Sequence, residues 1–286
     1  MKKIFAKSAL LLCGLGAFSM VAQAAEWSDT SIGYRYGTDF AEPFNANAIT
    51  KNILNLNHVS GYKYGSNFFN VDLLLSNSKD PAGAGSTNGA QEFYMVYRHT
   101  LDLEKVTGTP FKFGPVRGVG LVAGFDANTK TDAGYNSKKR MFVAGPSLSI
   151  DVPGFLTVSL LGLWESNAPY STFTKVSTPR YSYDTHPMLG LAWGIPIGST
   201  PLSFAGFANF IASKGKNEFG AATAAETNID MQVMYDLSSV LGAGKNTFKL
   251  GLEYQYWQNK FGNNSSGPAG KGAFAKTPMI RAEYHF

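Results

Sequence analysis

Residues 248–257 read Phe-Lys-Leu-Gly-Leu-Glu-Tyr-Gln-Tyr-Trp, and this stretch decides the fold class. Its even-numbered positions carry only large apolar or aromatic side chains, while its odd-numbered positions are mostly polar or small. Successive side chains of a β-strand point to opposite faces. The stretch therefore predicts a strand with one apolar and one largely polar face.

The same alternation recurs throughout the chain, as in Ile32-Gly33-Tyr34-Arg35-Tyr36 and in Ile280-Arg281-Ala282-Glu283-Tyr284. No stretch of 18 apolar residues follows Ala24, so the sequence predicts no membrane-spanning helix. We predict about twelve strands, at 27–37, 49–64, 67–77, 91–102, 115–126, 140–150, 155–165, 185–197, 202–212, 227–237, 247–259 and 278–286.

The connections between these strands alternate in length. Long connections rich in Gly, Ser, Thr and Asn are expected at 38–48, 78–90, 127–139, 166–184, 213–226 and 260–277. Tight turns are expected at 65–66, 151–154 and 198–201, and intermediate connections at 103–114 and 238–246. Short turns at one end, long loops at the other and an even strand count are typical of an outer-membrane β-barrel. The physical reason for a barrel is closure, because every backbone N–H and C=O must be paired internally in lipid and a sheet can span it only with no free edge.

A soluble β-sandwich also alternates, and two features favour the membrane barrel. The chain ends in an amphipathic strand whose last residue is Phe286, which resembles the assembly signal of bacterial outer-membrane proteins. Aromatic side chains also crowd the predicted strand ends, where interfacial girdles belong. They are Trp27, Tyr34, Tyr36, Tyr62, Tyr64, Trp164, Tyr254, Tyr256 and Tyr284.

The first residues have the pattern of a cleaved export signal. Lys2, Lys3 and Lys7 precede an apolar stretch from residue 9 to residue 21, and Ala22-Gln23-Ala24 fits a cleavage site. We predict a signal peptide at 1–24, a single β-barrel domain at 25–286 and a location in the bacterial outer membrane. Removing the three lysines leaves 22 basic against 20 acidic residues, which gives no basic stripe for a nucleic-acid partner. The one cysteine, Cys13, lies inside this signal and excludes a disulfide framework.

Motifs for catalysis or metal binding are missing from the sequence. The four histidines are scattered, and none forms a metal-binding motif. We therefore expect no enzyme, no catalytic residues, no metal and no cofactor. The densest basic stretch, Lys138-Lys139-Arg140, is expected either to contact phosphates of outer-membrane lipid and lipopolysaccharide or to be a solvated loop end.

The polar face of the predicted strands is expected to line the lumen. Both charge signs occur there in similar numbers, so a lumen of this kind would not simply select anions or cations. Aromatic faces mixed with amides and carboxylates favour a flat, neutral, hydroxylated solute. The alternative is that the charges pair with one another and fill a narrow lumen. The candidate solute-binding residues are Lys63, Phe68, Asp72, Glu92, Arg98, Phe207, Asn209, Glu253, Gln255, Trp257 and Arg281.

Several stretches resemble the nucleoside-specific channel-forming (Tsx-type) outer-membrane porin family, including its OmpK-like members. They are 58–65 (HVSGYKYG), 68–72 (FFNVD), 145–147 (GPS), 151–155 (DVPGF), 204–210 (FAGFANF), 251–260 (GLEYQYWQNK) and 283–286 (EYHF). Tyr254-x-Tyr256-Trp257-x-Asn259-Lys260 is the most specific of them. The chain differs from the family pattern at Asn57 and Asn209, where carboxylates are usual.

The resemblance implies a monomeric twelve-stranded barrel with a narrow polar and aromatic lumen that passes nucleosides by weak serial binding. Among the matched positions, Lys63, Asp72, Glu253 and Trp257 are expected to face inward. The resemblance also implies a role as a phage or colicin receptor through the outer loops. The leading hypothesis is therefore a passive, substrate-selective channel. The alternative is a surface receptor or adhesion barrel with little transport, and a barrel enzyme such as a lipid hydrolase is the third hypothesis.

Overall fold

The computed structural model describes residues 25–171 and 175–286, so the predicted signal peptide lies outside the described residues. Twelve long strands dominate it. They are β1 (Trp27–Glu42), β2 (Asn45–Tyr62), β3 (Gly65–Ser76), β4 (Gln91–Asp102), β5 (Val116–Lys130), β6 (Arg140–Ile150), β7 (Phe155–Asn167), β11 (His186–Pro196), β12 (Leu202–Ile211), β13 (Glu226–Asp236), β14 (Phe248–Gln258) and β15 (Phe274–His285). Three two-residue strands lie between β7 and β11: β8 (Tyr170–Ser171), β9 (Val176–Ser177) and β10 (Tyr181–Ser182).

The twelve long strands close into an antiparallel barrel, as the sequence predicts. Each pairs with the next long strand along the chain, and β15 pairs with β1, where Glu283 lies opposite Gly33. β7 pairs with both β6 and β11, so the sheet continues past the β8–β10 connection. Closure pairs the backbone of every long strand on both sides, which is the condition for a sheet to cross a bilayer.

The outer wall of the barrel is apolar. Val233 is 42% exposed, Leu252 68% and Ile280 57%, and register places them side by side on neighbouring strands. A continuous exposed apolar surface of this kind suits contact with lipid rather than with water. The described residues contain no helix that is long and apolar enough to span a membrane.

Two predicted loops, 127–139 and 260–277, are shorter in the structure, because β5 continues to Lys130 and β15 begins at Phe274. Three other connections also differ from the prediction. The first is a two-residue turn at Pro43-Phe44 rather than a long loop at 38–48, because β1 continues through bulges to Glu42. The next turn lies at 63–64 rather than at 65–66. The connection after β4 contains a short helix, Leu103–Thr107, whose first backbone N–H groups donate to the Asp102 carboxylate and whose end at Gly108 has φ 73°.

Inside the barrel, one side is lined by apolar side chains, which we call the apolar wall. Register places all of them on the inward face of β5, β6, β7 and β11. They are Val122, Met141, Val143, Leu161, Leu163 and Met188. The lumen is therefore not lined by polar groups alone, and its polar groups concentrate on the other side.

Candidate functional site

The polar side of the lumen, which we call the charged wall, consists of Arg35, Asp72, Asp230, Glu253 and Arg281. The Arg35 guanidinium lies 2.5 Å from an Asp72 oxygen and 3.1 Å from a Glu253 oxygen. The Arg281 guanidinium lies 2.7 Å from the other Glu253 oxygen. Glu253 thus joins two arginines, and its side chain is 0% exposed. Each of the two arginines is therefore paired with a carboxylate, as a buried charge requires.

The register of the sheet explains this pairing. Arg35 and Arg281 lie directly opposite each other on β1 and β15, an arrangement that repels unless a carboxylate separates the two charges. On its other side Arg281 faces Gly251, which has no side chain, so the guanidinium reaches along β14 to Glu253. Arg281 also lies 2.7 Å from Glu283 on its own strand.

Two buried polar atoms of this region have no hydrogen-bond partner among the described residues: Nε of Arg35 and Oδ1 of Asn55. Asn55 Nδ2 donates to the same Asp72 oxygen that Arg35 approaches, over 2.7 Å, so the two atoms belong to one cluster. An unsatisfied buried donor or acceptor is costly.

Two further candidates, Arg98 and Glu92, lie on β4 and face the lumen in separate pairs. Arg98 is 2.5 Å from Asp126, whose carboxylate also accepts from the Tyr94 hydroxyl over 3.2 Å. Glu92 accepts from the Asn128 amide over 2.8 Å. These pairs hold β4 to β5 across the inner face rather than to the charged wall.

An aromatic, a carboxylate and an amide lie in one row across β12, β13 and β14. Phe207 is opposite Asp230, and Asp230 is opposite Gln255. Phe207 faces the lumen and is still 37% exposed, so this part of the lumen is accessible to solvent. Asn209 lies on the same face of β12, opposite Gly190 and Asn228. Phe68 also faces the lumen, opposite Arg98, and is 36% exposed.

Trp257 lies close to the loop end of the lumen. Its Nε1 donates to Glu226 over 3.2 Å, and its ring meets the Phe261 ring edge to face at 4.7 Å between centroids. Lys214, from the β12–β13 loop, lies 2.9 Å from Glu165 and 3.7 Å from Glu226. Trp257 is thus held among the ionic contacts at the loop end.

A second group of charges at this end, the loop-end ion cluster, consists of Glu42, Lys51, Asp80, Lys130 and Lys260. Glu42 lies 2.5 Å from Lys51, 3.1 Å from Lys260 and 3.4 Å from Lys130. Lys130 also lies 3.2 Å from Asp80. The five residues come from three strands and two loops, so the cluster ties the loops over the end of the lumen.

The outer loops also contact one another through tyrosines. The Tyr183 hydroxyl donates to Glu218 over 2.7 Å, and the Tyr135 hydroxyl donates to the same carboxylate. Burial raises the pKa of the Tyr183 hydroxyl, and the negative charge of Glu218 raises it further. The hydroxyl therefore stays protonated and remains a donor at neutral pH.

The structure brings together three of the sequence candidates, Asp72, Glu253 and Arg281, and leaves the others spread along the inward face. The prediction that Lys63 faces the lumen is wrong. Lys63 lies in the β2–β3 turn with its side chain exposed, and its Nζ is 5.0 Å from the Tyr64 ring. The prediction continued the alternation of β2 through residues 63–64, which form a turn in which side chains no longer alternate between the two faces.

The alternation in the sequence also assigns Arg35 and Asn55 to the inward face, although neither is among the candidate site residues. It missed the loop-end ion cluster altogether. Lys51 lies on the same face of its strand as Asn55, so the two-residue alternation could have identified it as a lumen residue. Glu42 follows the β1 bulges and Lys130 falls in a predicted loop, so alternation gives no signal for either. The described part of the chain holds no group of three His, Cys, Asp or Glu side chains able to bind a metal ion.

No protein-family profile and no curated protein match the chain. Among solved structures, it is similar to the KdgM porin at 8% identity and a TM-score of 0.42, over 90% of this chain and 99% of that one. It is also similar to the translocator domain of the autotransporter NalP from Neisseria meningitidis at 10% identity and a TM-score of 0.46, over the full length of both. Pseudomonas aeruginosa OpdK, solved with vanillate, gives 9% identity and a TM-score of 0.28, over 91% and 98% of the two chains. Similarity this low carries no argument about function, and the barrel rests on the strand pairing itself.

Proposed function

We propose that this protein is a passive channel of the bacterial outer membrane that admits small neutral solutes, with nucleosides as its preferred class. The row of Phe207, Asp230 and Gln255 carries the proposal. Directly opposed residues of neighbouring strands hold their Cβ atoms about 5 Å apart. One flat solute therefore reaches an aromatic face, an acceptor and an amide at once.

The charge balance of the lumen supports a neutral solute. Each arginine of the charged wall is paired with carboxylates, Arg35 with Asp72 and Glu253 and Arg281 with Glu253 and Glu283, so a solute meets charges of both signs. Weak contacts at several depths also suit conduction, because a solute must leave each site as readily as it enters. Base stacking on an aromatic ring contributes about 1–3 kcal/mol.

The test is a conductance measurement on protein reconstituted in planar bilayers. Millimolar adenosine or thymidine should reduce the ion current, and Phe207→Ala should weaken this block by roughly 5- to 150-fold, which is the loss of one stacking contact. Phe210→Ala is the matched control, because Phe210 lies on the same strand and is 42% exposed but faces outward. Trp257→Ala should weaken the block as well.

Two results would refute nucleoside selectivity. One is a current and a liposome-swelling rate that neither nucleoside changes. The other is an equal effect of Phe207→Ala and Phe210→Ala. If sugars or amino acids block the current and nucleosides do not, the proposal of a channel stands, but its solute belongs to another class.

A surface receptor for phage or colicin is the second candidate. The loop end presents Phe44 at 71%, Phe219 at 66% and Val176 at 60% exposure, and exposed apolar side chains on loops favour protein recognition. Phe219→Ser would then reduce adsorption of a phage while nucleoside block stays unchanged. Strains that carry the barrel yet adsorb no phage from a broad panel would argue against this role.

A further inference from the structure

The basic stretch Lys138-Lys139-Arg140 is divided between the two faces of the barrel. Lys139 points inward, with its Nζ 6.0 Å from the lumen-facing Tyr94 ring. Lys138 and Arg140 are exposed, and Arg140 begins β6 on its outward face, opposite Ser166 of β7. Two of the three charges therefore lie on the outer wall, at the loop end.

A third basic residue, Arg180, comes to the same place from the β7–β11 connection. Its Nη1 donates to the Ser166 hydroxyl over 3.0 Å, and its Nη2 donates to the Lys138 carbonyl over 2.9 Å. Since Ser166 lies opposite Arg140, the guanidinium of Arg180 is fixed beside that of Arg140. We call Lys138, Arg140 and Arg180 the outer basic patch.

The outer basic patch has no acidic partner. The residues that the structure describes include all 20 Asp and Glu of the chain, and none of them lies within 4.0 Å of a charged nitrogen of the patch. Slight burial, and then the charge of Arg140, lower the pKa of Arg180. The outer basic patch therefore carries positive charge without a paired carboxylate, whereas Arg35 and Arg281 in the lumen are paired with carboxylates.

The depth of the patch is marked by aromatic residues. Phe142 and Trp164 lie two residues further from the loop end on β6 and β7, with ring centroids 5.6 Å apart. They are 50% and 47% exposed on the outward face. A strand rises about 3.3 Å per residue, so the patch lies about 7 Å further along the strands than this pair. Aromatic residues mark the edge of the hydrocarbon, which places the patch at the level of lipid headgroups.

We propose that the outer basic patch binds the phosphates of a phosphorylated glycolipid of the outer leaflet, of the lipopolysaccharide class, while Phe142 and Trp164 contact its acyl chains. A guanidinium has five N–H donors, and the two hydrogen bonds of Arg180 leave three of them for phosphate oxygens. Arginine suits this ligand because its planar donors match phosphate oxygens in pairs. The site lies outside the lumen and does not depend on which solute passes.

The test measures binding of diphosphoryl lipid A to the purified barrel in non-ionic detergent, by native mass spectrometry. Arg140→Ser should weaken binding about 5-fold, and the double variant Arg140→Ser/Arg180→Gln about 25-fold, since each basic residue near a lipid surface contributes a similar factor. Lys276→Ser is the matched control, because Lys276 is also exposed and outward at the loop end, on β15. It should change binding less than twofold.

Two further binding measurements identify the ligand. Lipid A without its phosphates should bind at least tenfold more weakly, and inorganic phosphate at the same concentration should not displace diphosphoryl lipid A. Equal binding of the two lipids, displacement by inorganic phosphate, or equal losses in the patch and control variants would overturn the proposal. Arg140 makes no side-chain hydrogen bond to the described residues, so Arg140→Ser keeps the test valid even if the double variant misfolds. Nucleoside block is measured in parallel, so failure here is distinct from failure of the channel proposal.

Discussion

The two sides of the lumen are stabilised by different interactions. In the apolar wall, side chains such as Val143 and Leu163, both fully buried, pack against one another through non-directional van der Waals contacts. The charged wall depends on Arg35, Glu253 and Arg281, each of which is buried only because its partners lie within ion-pair distance. Packing tolerates an exchange of similar shape, whereas a buried ion pair fails when one partner is removed. The comparison predicts which substitutions each side tolerates.

The largest effect is expected on the charged wall. Glu253→Gln keeps the shape but removes the charge that separates Arg35 from Arg281, and it should destabilise the barrel by roughly 3–5 kcal/mol. Urea unfolding in lipid vesicles measures this. The reversal potential of the channel should also shift toward anions, because one negative charge of the lumen is lost.

Glu104→Gln is the control for this change. Its partner Lys112 lies 3.5 Å away and is 60% exposed, so the loss should stay below about 1 kcal/mol. If the two substitutions cost the same, the charged wall is not a buried network.

A smaller effect is expected on the apolar wall. Leu163→Ala should cost about 2–4 kcal/mol through lost burial and the cavity left behind. Leu163→Met nearly conserves the volume and should cost less than about 1.5 kcal/mol. Neither should move the reversal potential, and a shift in selectivity with Leu163→Ala would show that the two walls are coupled.

The smallest of the three effects is expected at Gly124, on the inward face of β5 and opposite Val143 of the apolar wall. A Cβ there would overlap the Tyr97 carbonyl oxygen and stand 2.8 Å from Cδ of Arg98, which crosses this glycine to reach Asp126. Gly124→Ala should therefore cost roughly 1–3 kcal/mol in the same urea assay. Gly118→Ala, on the same strand, meets only the Ser149 Cβ at 3.9 Å and should be close to neutral. A neutral Gly124→Ala would mean that the β4 backbone at Tyr97 and the Arg98 side chain both move at little cost.

Prediction of the fold from sequence succeeded where the signal is local. Strand number, strand type and the closing strand at 278–286 follow from alternation, and the structure confirms them. The turns at 43–44 and 63–64 were misplaced because bulges and turns break the alternation. The apolar wall was not expected, because β7 carries apolar residues on both faces, as in Leu160-Leu161, and parity then assigns no side.

For the candidate site, the sequence placed Asp72, Glu253 and Arg281 on the inward face. It gave no reason to pair any of them with Arg35. Arg35 and Glu253 are 218 positions apart, and their contact exists only because β15 closes against β1 and β14 lies beside β15. The register of those three strands, not their composition, decides which charges meet.

The amphipathic strands follow from the sequence alone, because a two-residue period is local to each strand, and the loop lengths and the terminal Phe286 extend that prediction to a closed barrel. The division of the lumen into a charged and an apolar side, and the meeting of Arg140 with Arg180 on the outer wall, become visible only in the folded barrel. Such proximities depend on strand register and on loop paths. These are properties of distant segments taken together, so no single stretch of the chain encodes them.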